Sequence, residues 1–343
     1  MVAKARWNIF VTRHLPGDAI ERLRKVARVE VWDRELPPPR DYLLKKLRSA
    51  DAILSMLSDR MDEDAIASAP ELKVISNYAV GVDNIDLEAA TRGGIPVGHT
   101  PGVLTDATAD IAFGLLMAAA RRIVEGDREV RAGKWQTWGP EVLLGNDVHG
   151  ATLGIIGWGA IGQATARRGE GFGMKILYLK PRGKSHRVQN GPAPAGTPVT
   201  LARLLRESDF VSIHVPLTPE TRHLLGKNEF ALMKPGAILI NTARGPIVDQ
   251  KALTAALKSR HLGGAGLDVT DPEPIERGDP LLKLPNVVIA PHIGSASRAT
   301  RERMTAMAVD NILAVMKGSA PEWCANPEVK STFKTHRSVR ILK

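Results

Sequence analysis

Three segments in the second half of the chain place residues with acid–base or anion-binding chemistry after short apolar runs. They are NTARG with Arg244, GLDVTDPEP with Asp268 and Glu273, and APHIGS with His292. Each apolar run predicts a strand, and open α/β sheets bind ligands at the carboxyl ends of their strands. The set offers an anion clamp, carboxylates and an imidazole. It suits the reduction of a 2-oxo acid, although each segment alone has an ordinary structural explanation.

A glycine-rich turn lies upstream of these segments. The run from Thr152 to Ile156 predicts a buried strand, and QATARRGEGFG predicts a helix after the turn. In this context the first glycine allows a tight turn, the second lets the backbone approach a pyrophosphate, and the third permits close helix–strand packing. The sequence therefore predicts a dinucleotide site at Gly157, Trp158, Gly159, Ala160, Ile161 and Gly162.

The residues after the next predicted strand, MKILYL, bear on which dinucleotide is bound. Lys180 and Arg182 stand where an acidic residue usually binds the ribose 2′-hydroxyl. Two cations there favour a 2′-phosphate, so we expect NADP(H) to be preferred, with NAD(H) possible. A solvated basic loop is the alternative explanation.

Apolar runs alternate with helical patterns along both halves of the chain, which predicts an α/β fold with two doubly wound parallel sheets. Between the halves, residues 105–133 predict one long helical run, with Thr105 or Asp106 as its N-cap. A last helix is expected at about Arg298 to Met316. The segment from Gly183 to Pro198 predicts a loop because it is rich in proline and glycine.

The length of 343 residues and the net charge of +10 bound the class of protein. At roughly 100–200 residues per domain, two or three domains are expected. The basic charge fits either a nucleic-acid or membrane partner or an enzyme of small anions. We interpret the basic segment from Lys330 to Lys343 as a solvated tail, and therefore expect no nucleic-acid partner and no membrane partner.

The single cysteine, Cys324, excludes an intramolecular disulfide framework and a cysteine-only zinc site, and no bound metal is expected. The longest strongly apolar stretch, Ile111 to Ala120, is about half of a membrane span. The first residues lack the apolar core of a signal peptide. These observations predict a cytoplasmic protein.

The order of the motifs resembles the D-isomer-specific 2-hydroxyacid dehydrogenases, most closely the glyoxylate/hydroxypyruvate reductases. The resemblance covers about residues 5 to 328 and is carried by the glycine-rich turn, HVPLTPETRHLL, ALMKPGAILINTARGPIVD, GAGLDVTDPEP and NVVIAPHIGSAS. It implies a Rossmann-type cofactor domain, residues 104–292, inserted into a flavodoxin-like substrate domain, residues 1–103 and 293–328. Residues 329–343 form the basic tail, and the implied assembly is a homodimer.

The resemblance also implies roles for single residues. Arg244 would hold the substrate carboxylate and polarise the neighbouring carbonyl, and His292 would donate the proton, with Glu273 as its partner. Asp268 would bind the nicotinamide carboxamide. The rest of the cofactor cleft would be lined by Val215, Pro216, Thr242 and Ala243.

On the substrate side, the segment YAVGVD matches the family loop whose backbone N–H groups take the substrate carboxylate, at Val80 and Gly81. Leu57 would form a wall of the pocket, and Ser295 would lie near its mouth. Trp138 would either enter a neighbouring subunit's pocket or pack in a dimer interface.

Two other kinds of function remain open from the sequence. One is another enzyme of the same family, such as a 3-phosphoglycerate or phosphite dehydrogenase; the formate dehydrogenases fit less well because their pattern pairs histidine with glutamine. The other is a nucleotide-sensing protein like the corepressors of this family. The lack of long flanking disordered arms favours an enzyme, whose substrate would be a small 2-oxo or 2-hydroxy acid.

Overall fold

A computed structural model describes residues 6–179 and 193–329 of the chain. The chain divides into two compact units, one comprising Met1–Leu104 with Ala296–Lys343, the other Thr105–Ser295. Lys180, Arg182 and nearly all of the basic tail lie outside the described residues. None of the helices in the described ranges has the length and apolar character needed to cross a bilayer.

The first unit contains a five-stranded parallel sheet with the strand order β2-β1-β3-β4-β5. Its elements up to Leu104 are β1 (Asn8–Val11), α1 (Ile20–Arg24), β2 (Arg28–Val31), α2 (Arg40–Leu47), β3 (Ala52–Ser55), α3 (Glu63–Ala67), β4 (Val74–Asn77), α4 (Leu87–Arg92) and β5 (Val97–Gly98). The central strands β3 and β4 are buried at every residue, and each begins with consecutive apolar residues, Ala52 to Leu54 and Val74 to Ile75. Asp62 and Asp86 accept backbone N–H groups at the starts of α3 and α4.

The second unit contains a seven-stranded parallel sheet with the order β12-β11-β10-β9-β6-β7-β8. Its elements are α5 (Thr105–Ala120), α6 (Ile123–Arg131), β6 (Thr152–Ile156), α7 (Ala160–Gly171), β7 (Lys175–Leu179), β8 (Thr197–Val199), α8 (Leu201–Glu207), β9 (Phe210–Ile213), α9 (Lys227–Leu232), β10 (Ile238–Asn241), α10 (Gln250–Lys258), β11 (Gly264–Leu267) and β12 (Val287–Ile289). Helix α5 packs against α7 and against β10 and β11, in agreement with its apolar surface.

The chain then returns to the first unit with α11 (Arg298–Met316), at the bounds expected from the sequence. Ser297 caps this helix by accepting the N–H of Thr300 at 3.2 Å. The helix packs on β4, where the buried hydroxyl of Ser76 donates to the carbonyl of Ala308 at 2.8 Å. The prediction of an α/β fold with two parallel sheets is confirmed.

The expectation of one long helix over 105–133 is wrong. The helix is interrupted at Arg122, which has a φ of 51°, and Thr105 is the first helical residue of α5 rather than its cap. The carbonyl of Ala120 accepts the N–H of Asn146 at 2.8 Å, although a continuing helix would need that carbonyl for Val124. A new helix, α6, therefore starts after the break.

The expectation that residues 183–198 form only a loop is also wrong at its end. Thr197 and Pro198 belong to β8, which pairs with β7 at the edge of the sheet. A proline cannot donate to a second neighbouring strand, and an edge strand has no such neighbour. The helices α1 and α3 are short, covering five residues each.

Candidate active site

The carboxyl ends of five parallel strands of the second unit meet at one edge of its sheet. Strands β6, β9, β10, β11 and β12 are followed there by the glycine-rich turn, by Val215, by Arg244, by Asp268 and by His292. The strands β10, β11 and β12 are also neighbours in the sheet, so the segments with Arg244, Asp268 and His292 follow three adjacent strands. This is the edge where open α/β sheets bind ligands.

The glycine-rich turn has no room for side chains at its first and last glycines. Gly157 has a φ of 109°, and a Cβ there would lie 2.5 Å from the backbone carbon of His214. A Cβ on Gly162 would collide with the carbonyl oxygen of Gly157, whereas a Cβ on Gly159 would meet only open space. Helix α7 begins at Ala160 without a side-chain cap, so its first N–H groups can bind an anion. These features fit a dinucleotide pyrophosphate.

Trp158 of the turn stacks on Tyr178 near the end of β7. The ring centroids are 3.9 Å apart and the planes differ by 11°. The stack fixes the end of β7 beside the turn, two residues before Lys180. Because Lys180 and Arg182 lie outside the described residues, their expected contact with a 2′-phosphate stays a prediction.

His214, at the end of β9, links that strand to the turn. Its Nε2 atom lies 2.9 Å from the hydroxyl of Ser212, and its backbone carbonyl packs against Gly157. Burial lowers the pKa of His214 to about 3, so the ring is neutral near pH 7. Val215 and Pro216 follow at the same edge, Val215 half-buried and Pro216 exposed.

The turn that carries Arg244 is held by the buried side chain of Asn241. The amide nitrogen of Asn241 donates to the carbonyl of Arg244 at 2.8 Å, and its oxygen accepts the N–H of Ala243 at 3.0 Å. The following residue, Gly245, cannot be replaced unless the backbone moves, since an added Cβ would collide with the carbonyl of Thr270. The backbone of Arg244 is thus fixed from both sides.

The hydroxyl of Thr242 is buried at the same strand end. Within the described ranges, its oxygen has no hydrogen-bond partner. A buried polar atom of this kind costs stability unless a ligand or water satisfies it. Its place beside Ala243 therefore fits contact with a bound cofactor.

The carboxylate of Asp268 holds the loop that contains His292. Its two oxygens accept the N–H groups of Ile293 and Gly294, each at 2.7 Å, and its backbone carbonyl accepts the N–H of His292 at 2.9 Å. Burial raises the pKa of Asp268, while the two N–H groups and the nearby His292 oppose this shift. The clamp supports His292 in a left-handed conformation, with a φ of 54°.

Glu273 is paired with His292 as the sequence predicts. The Nδ1 atom of His292 lies 2.5 Å from Oε1 of Glu273. The segment that carries Glu273 is anchored by Gln250 of α10, which accepts the N–H of Asp271 at 2.9 Å and donates to Asp279 at 2.8 Å. The pair can hold a proton and orient the imidazole for its transfer.

The predicted substrate contacts Leu57, Val80 and Gly81 belong to the first unit. Leu57 is 41% exposed, on a loop closed by Asp59, whose carboxylate accepts the N–H of Met56 at 2.7 Å. Val80 and Gly81 are half-buried and follow β4. Ser295 ends the second unit in a half-buried position.

Sequence patterns missed the residues that support the site. Asn241, Gln250 and His214 act through side chains buried or half-buried against other segments. Asn241 lies inside the NTARG motif and Gln250 follows it closely. Their nearness to this motif was the one sequence feature that could have indicated a supporting role. Within the described residues, no group of three or more His, Cys, Asp or Glu side chains is placed to hold a metal ion.

The chain belongs to the D-isomer-specific 2-hydroxyacid dehydrogenase family. The family model described as "D-isomer specific 2-hydroxyacid dehydrogenase, NAD binding domain" matches residues 113–294. The cofactor is therefore a nicotinamide dinucleotide, and the resemblance inferred from the motifs is confirmed.

Particular relatives agree with this assignment. The chain is 50% identical to the glyoxylate reductase of Korarchaeum cryptofilum over 94% of its length and 96% of the relative's. It is likewise 50% identical to the glyoxylate reductase of Pyrococcus horikoshii, with the same coverage. Among solved structures, the TT0316 protein of Thermus thermophilus superposes with a TM-score of 0.86 at 50% identity, covering 93% of this chain and 99% of that one. An NADPH-dependent glyoxylate/hydroxypyruvate reductase of Sinorhizobium meliloti, in complex with NADP and malonate, gives 0.81 at 32% identity, covering 95% and 98%.

Proposed function

We propose that the protein reduces glyoxylate and hydroxypyruvate to the corresponding 2-hydroxy acids. The observation that carries the proposal is the His292–Glu273 pair, at the same sheet edge as Arg244 and the glycine-rich turn. The identity of about half the residues with relatives named glyoxylate reductase supports this choice of substrate.

A reduced nicotinamide, when bound, would supply the hydride that adds to the substrate's carbonyl carbon. Arg244 holds the substrate carboxylate through its two-pronged guanidinium and polarises the carbonyl. His292 gives its proton to the carbonyl oxygen as the hydroxyl forms, and Glu273 stabilises the protonated ring beforehand. The overall change consumes one 2-oxo acid, one hydride and one proton.

The proposed cofactor contacts come from the same edge of the sheet. The turn from Gly157 to Gly162 and the start of α7 would bind the pyrophosphate, and Val215, Pro216, Thr242 and Ala243 would line the cleft. Each carboxylate oxygen of Asp268 already accepts one N–H and retains a lone pair for the nicotinamide carboxamide. The proposed substrate contacts are Leu57, Val80 and Gly81 in the first unit and Ser295 in the second.

The preferred cofactor in this proposal is NADPH. Lys180 and Arg182 supply positive charge after β7, where a 2′-phosphate would lie. The Sinorhizobium reductase, described as NADPH-dependent, is a supporting relative.

The proposed assembly is a homodimer, and the proposed location is the cytoplasm. Six large apolar side chains between residues 123 and 144 are exposed, and Trp138 is 78% exposed. They are Ile123, Val130, Trp135, Trp138, Val142 and Leu144. Several exposed large apolar side chains in one segment are typical of a surface that a second subunit covers. Sedimentation of the wild type and of Trp138→Ser at micromolar concentration measures whether a dimer forms there.

Initial-rate kinetics test the proposed activity. Purified enzyme is assayed with NADPH and NADH against glyoxylate, hydroxypyruvate, pyruvate and phosphohydroxypyruvate. We expect the highest kcat/KM with glyoxylate or hydroxypyruvate. A higher value with phosphohydroxypyruvate would favour a 3-phosphoglycerate dehydrogenase, and tight cofactor binding without any turnover would favour a nucleotide sensor.

A further inference from the structure

The loop after β4 presents three successive carbonyl groups to three fixed donors. The carbonyl of Ala79 accepts the N–H of Thr100 at 2.8 Å. The carbonyl of Val80 lies 2.9 Å from Nδ1 of His99, and the carbonyl of Gly81 accepts the side-chain amide of Asn77 at 3.0 Å. Every carbonyl of this stretch is therefore held.

The binding of these carbonyls determines where the next N–H groups point. In a planar trans peptide, the N–H of one residue points opposite to the carbonyl of the residue before it. The N–H groups of Val80, Gly81 and Val82 therefore point away from Thr100, His99 and Asn77 respectively. Within the described part of the chain, none of these three N–H groups has a hydrogen-bond acceptor. Consecutive N–H groups left open in this way can bind an anion.

The backbone of His99 is itself fixed by two hydrogen bonds. Its N–H donates to the carbonyl of Trp323 at 3.1 Å, and its carbonyl accepts the side-chain amide of Asn311 at 3.2 Å. A carbonyl oxygen only accepts hydrogen bonds, so Nδ1 must carry a proton for the bond to Val80. This contact fixes the tautomer of the neutral ring.

We propose that His99 is a positioning residue that, together with Asn77, turns the N–H groups of Gly81 and Val82 outward to bind the carboxylate of the 2-oxo acid. This inference rests on the proposed function and extends it. It adds Val82 to the carboxylate-binding backbone and assigns a task to two side chains that do not touch substrate. The bond made by His99 orients the Gly81 N–H, and the bond made by Asn77 orients that of Val82.

Two substitutions at position 99 separate this role from simple packing. His99→Leu removes the donor but keeps an apolar side chain. In His99→Asn, the amide nitrogen occupies the same place along the side chain as Nδ1, two bonds from Cβ, so the bond to Val80 can be made again. His261→Leu is the matched control, because His261 also lies 2.9 Å from a backbone carbonyl, that of Phe230 in the second unit.

The affinity for oxalate, a planar carboxylate analogue of the substrate, is measured by titration calorimetry with saturating cofactor. We expect His99→Leu to weaken oxalate about 10-fold or more, since the N–H groups lose their fixed direction at a charged ligand. His99→Asn should recover to within about 3-fold, and His261→Leu should match the wild type. In steady-state kinetics the KM for glyoxylate should rise with a much smaller change in kcat, as when uniform binding is lost.

Unchanged oxalate affinity in His99→Leu overturns the proposal, as does a wild-type enzyme that binds no oxalate. If His99→Leu does not fold, His99→Gln is compared with His99→Asn, because its longer side chain places the amide one bond too far. Equal affinities in those two variants also overturn it. If the wild type binds oxalate in a His99-dependent manner but does not reduce glyoxylate, the proposed function fails while this inference stands.

Discussion

The Nδ1 atom of His292 lies 2.5 Å from Oε1 of Glu273, although separate segments at the ends of β12 and β11 carry the two residues. Because Nδ1 contacts Glu273, Nε2 is the ring nitrogen that remains available for proton transfer. The backbone of His292 is fixed separately, through its N–H to the carbonyl of Asp268 at 2.9 Å. Backbone placement and ring orientation can therefore be disturbed one at a time.

Removing the imidazole tests the proton-transfer role. We expect His292→Ala to lower kcat by about 100- to 10,000-fold, the range for a lost general acid. The dissociation constant of NADPH, measured by fluorescence titration, should stay within about 3-fold, because the glycine-rich turn is untouched. A kcat close to that of the wild type would refute the assignment.

Replacing Glu273 by Gln keeps the shape of the side chain and removes its charge. The imidazole of His292 then loses its anionic partner, so kcat for glyoxylate reduction should fall by about 10-fold or more. Steady-state kinetics with saturating NADPH measure this change. Glu276→Gln, three residues further along the same segment, is the control and should keep the wild-type kcat. A wild-type kcat in Glu273→Gln would contradict the role of the pair.

Arg244→Lys tests the anion clamp. Lysine keeps the positive charge but loses the planar fork that holds a carboxylate by two parallel bonds. We expect a raised KM and a lowered kcat together, reducing kcat/KM by roughly 10- to 1,000-fold. The affinity for NADPH should be preserved, and its collapse with an unchanged KM for glyoxylate would show that Arg244 serves the cofactor instead.

Asp268→Asn tests the raised pKa of this buried carboxyl. Burial raises the folded-state pKa of Asp268 above the ordinary value of 3.8. At a pH between these two values, the folded protein keeps a proton on this carboxyl that the unfolded chain has lost. Wild-type stability should therefore fall as pH rises from 3.8 to the folded-state pKa. The Asn variant lacks this decline, so the difference in unfolding free energy between the two proteins should change across that window and level off above it. Urea unfolding at several pH values measures the difference, and a constant difference would contradict the shift.

The sequence could indicate the candidate catalytic motifs because each is a local pattern. An apolar strand followed by a turn with Arg244, Asp268 or His292 can be recognised without knowing what packs nearby. The partners of those residues could also be inferred where a family pattern names them, as for Glu273. The α/β class followed in the same way from alternating periodicities.

The remaining features depend on contacts between distant segments. The break after α5 could not be inferred from a helical pattern, since it coincides with a hydrogen bond from the N–H of the distant Asn146 to the carbonyl of Ala120. The side chains of Asn77 and His99 contact carbonyl groups of Gly81 and Val80, in the segment between β4 and β5. A periodic pattern of apolar residues does not show which backbone carbonyl a side chain will contact.

Cofactor selectivity is the remaining prediction, and it depends on Lys180 and Arg182. An acidic residue at the end of β7 would accept the ribose hydroxyls and repel a 2′-phosphate. Two cations attract that phosphate instead, each charge-assisted contact contributing about 1.5–3 kcal/mol where partly buried. Pro181 between them offers neither a charged side chain nor an N–H, so the discrimination must come from its two neighbours.

We expect a higher kcat/KM with NADPH than with NADH, and the double variant Lys180→Asp with Arg182→Ala should abolish or reverse this preference. The relative rates with glyoxylate and hydroxypyruvate should not change, because both substitutions are confined to the residues that follow β7. The control is Lys45→Asp with Arg48→Ala, which makes the same change in net charge at exposed positions on or next to α2 in the first unit. If the control lowers the NADPH preference as much as the double variant does, the effect is one of net charge alone. A wild-type ratio of NADPH to NADH at or below one refutes the prediction outright.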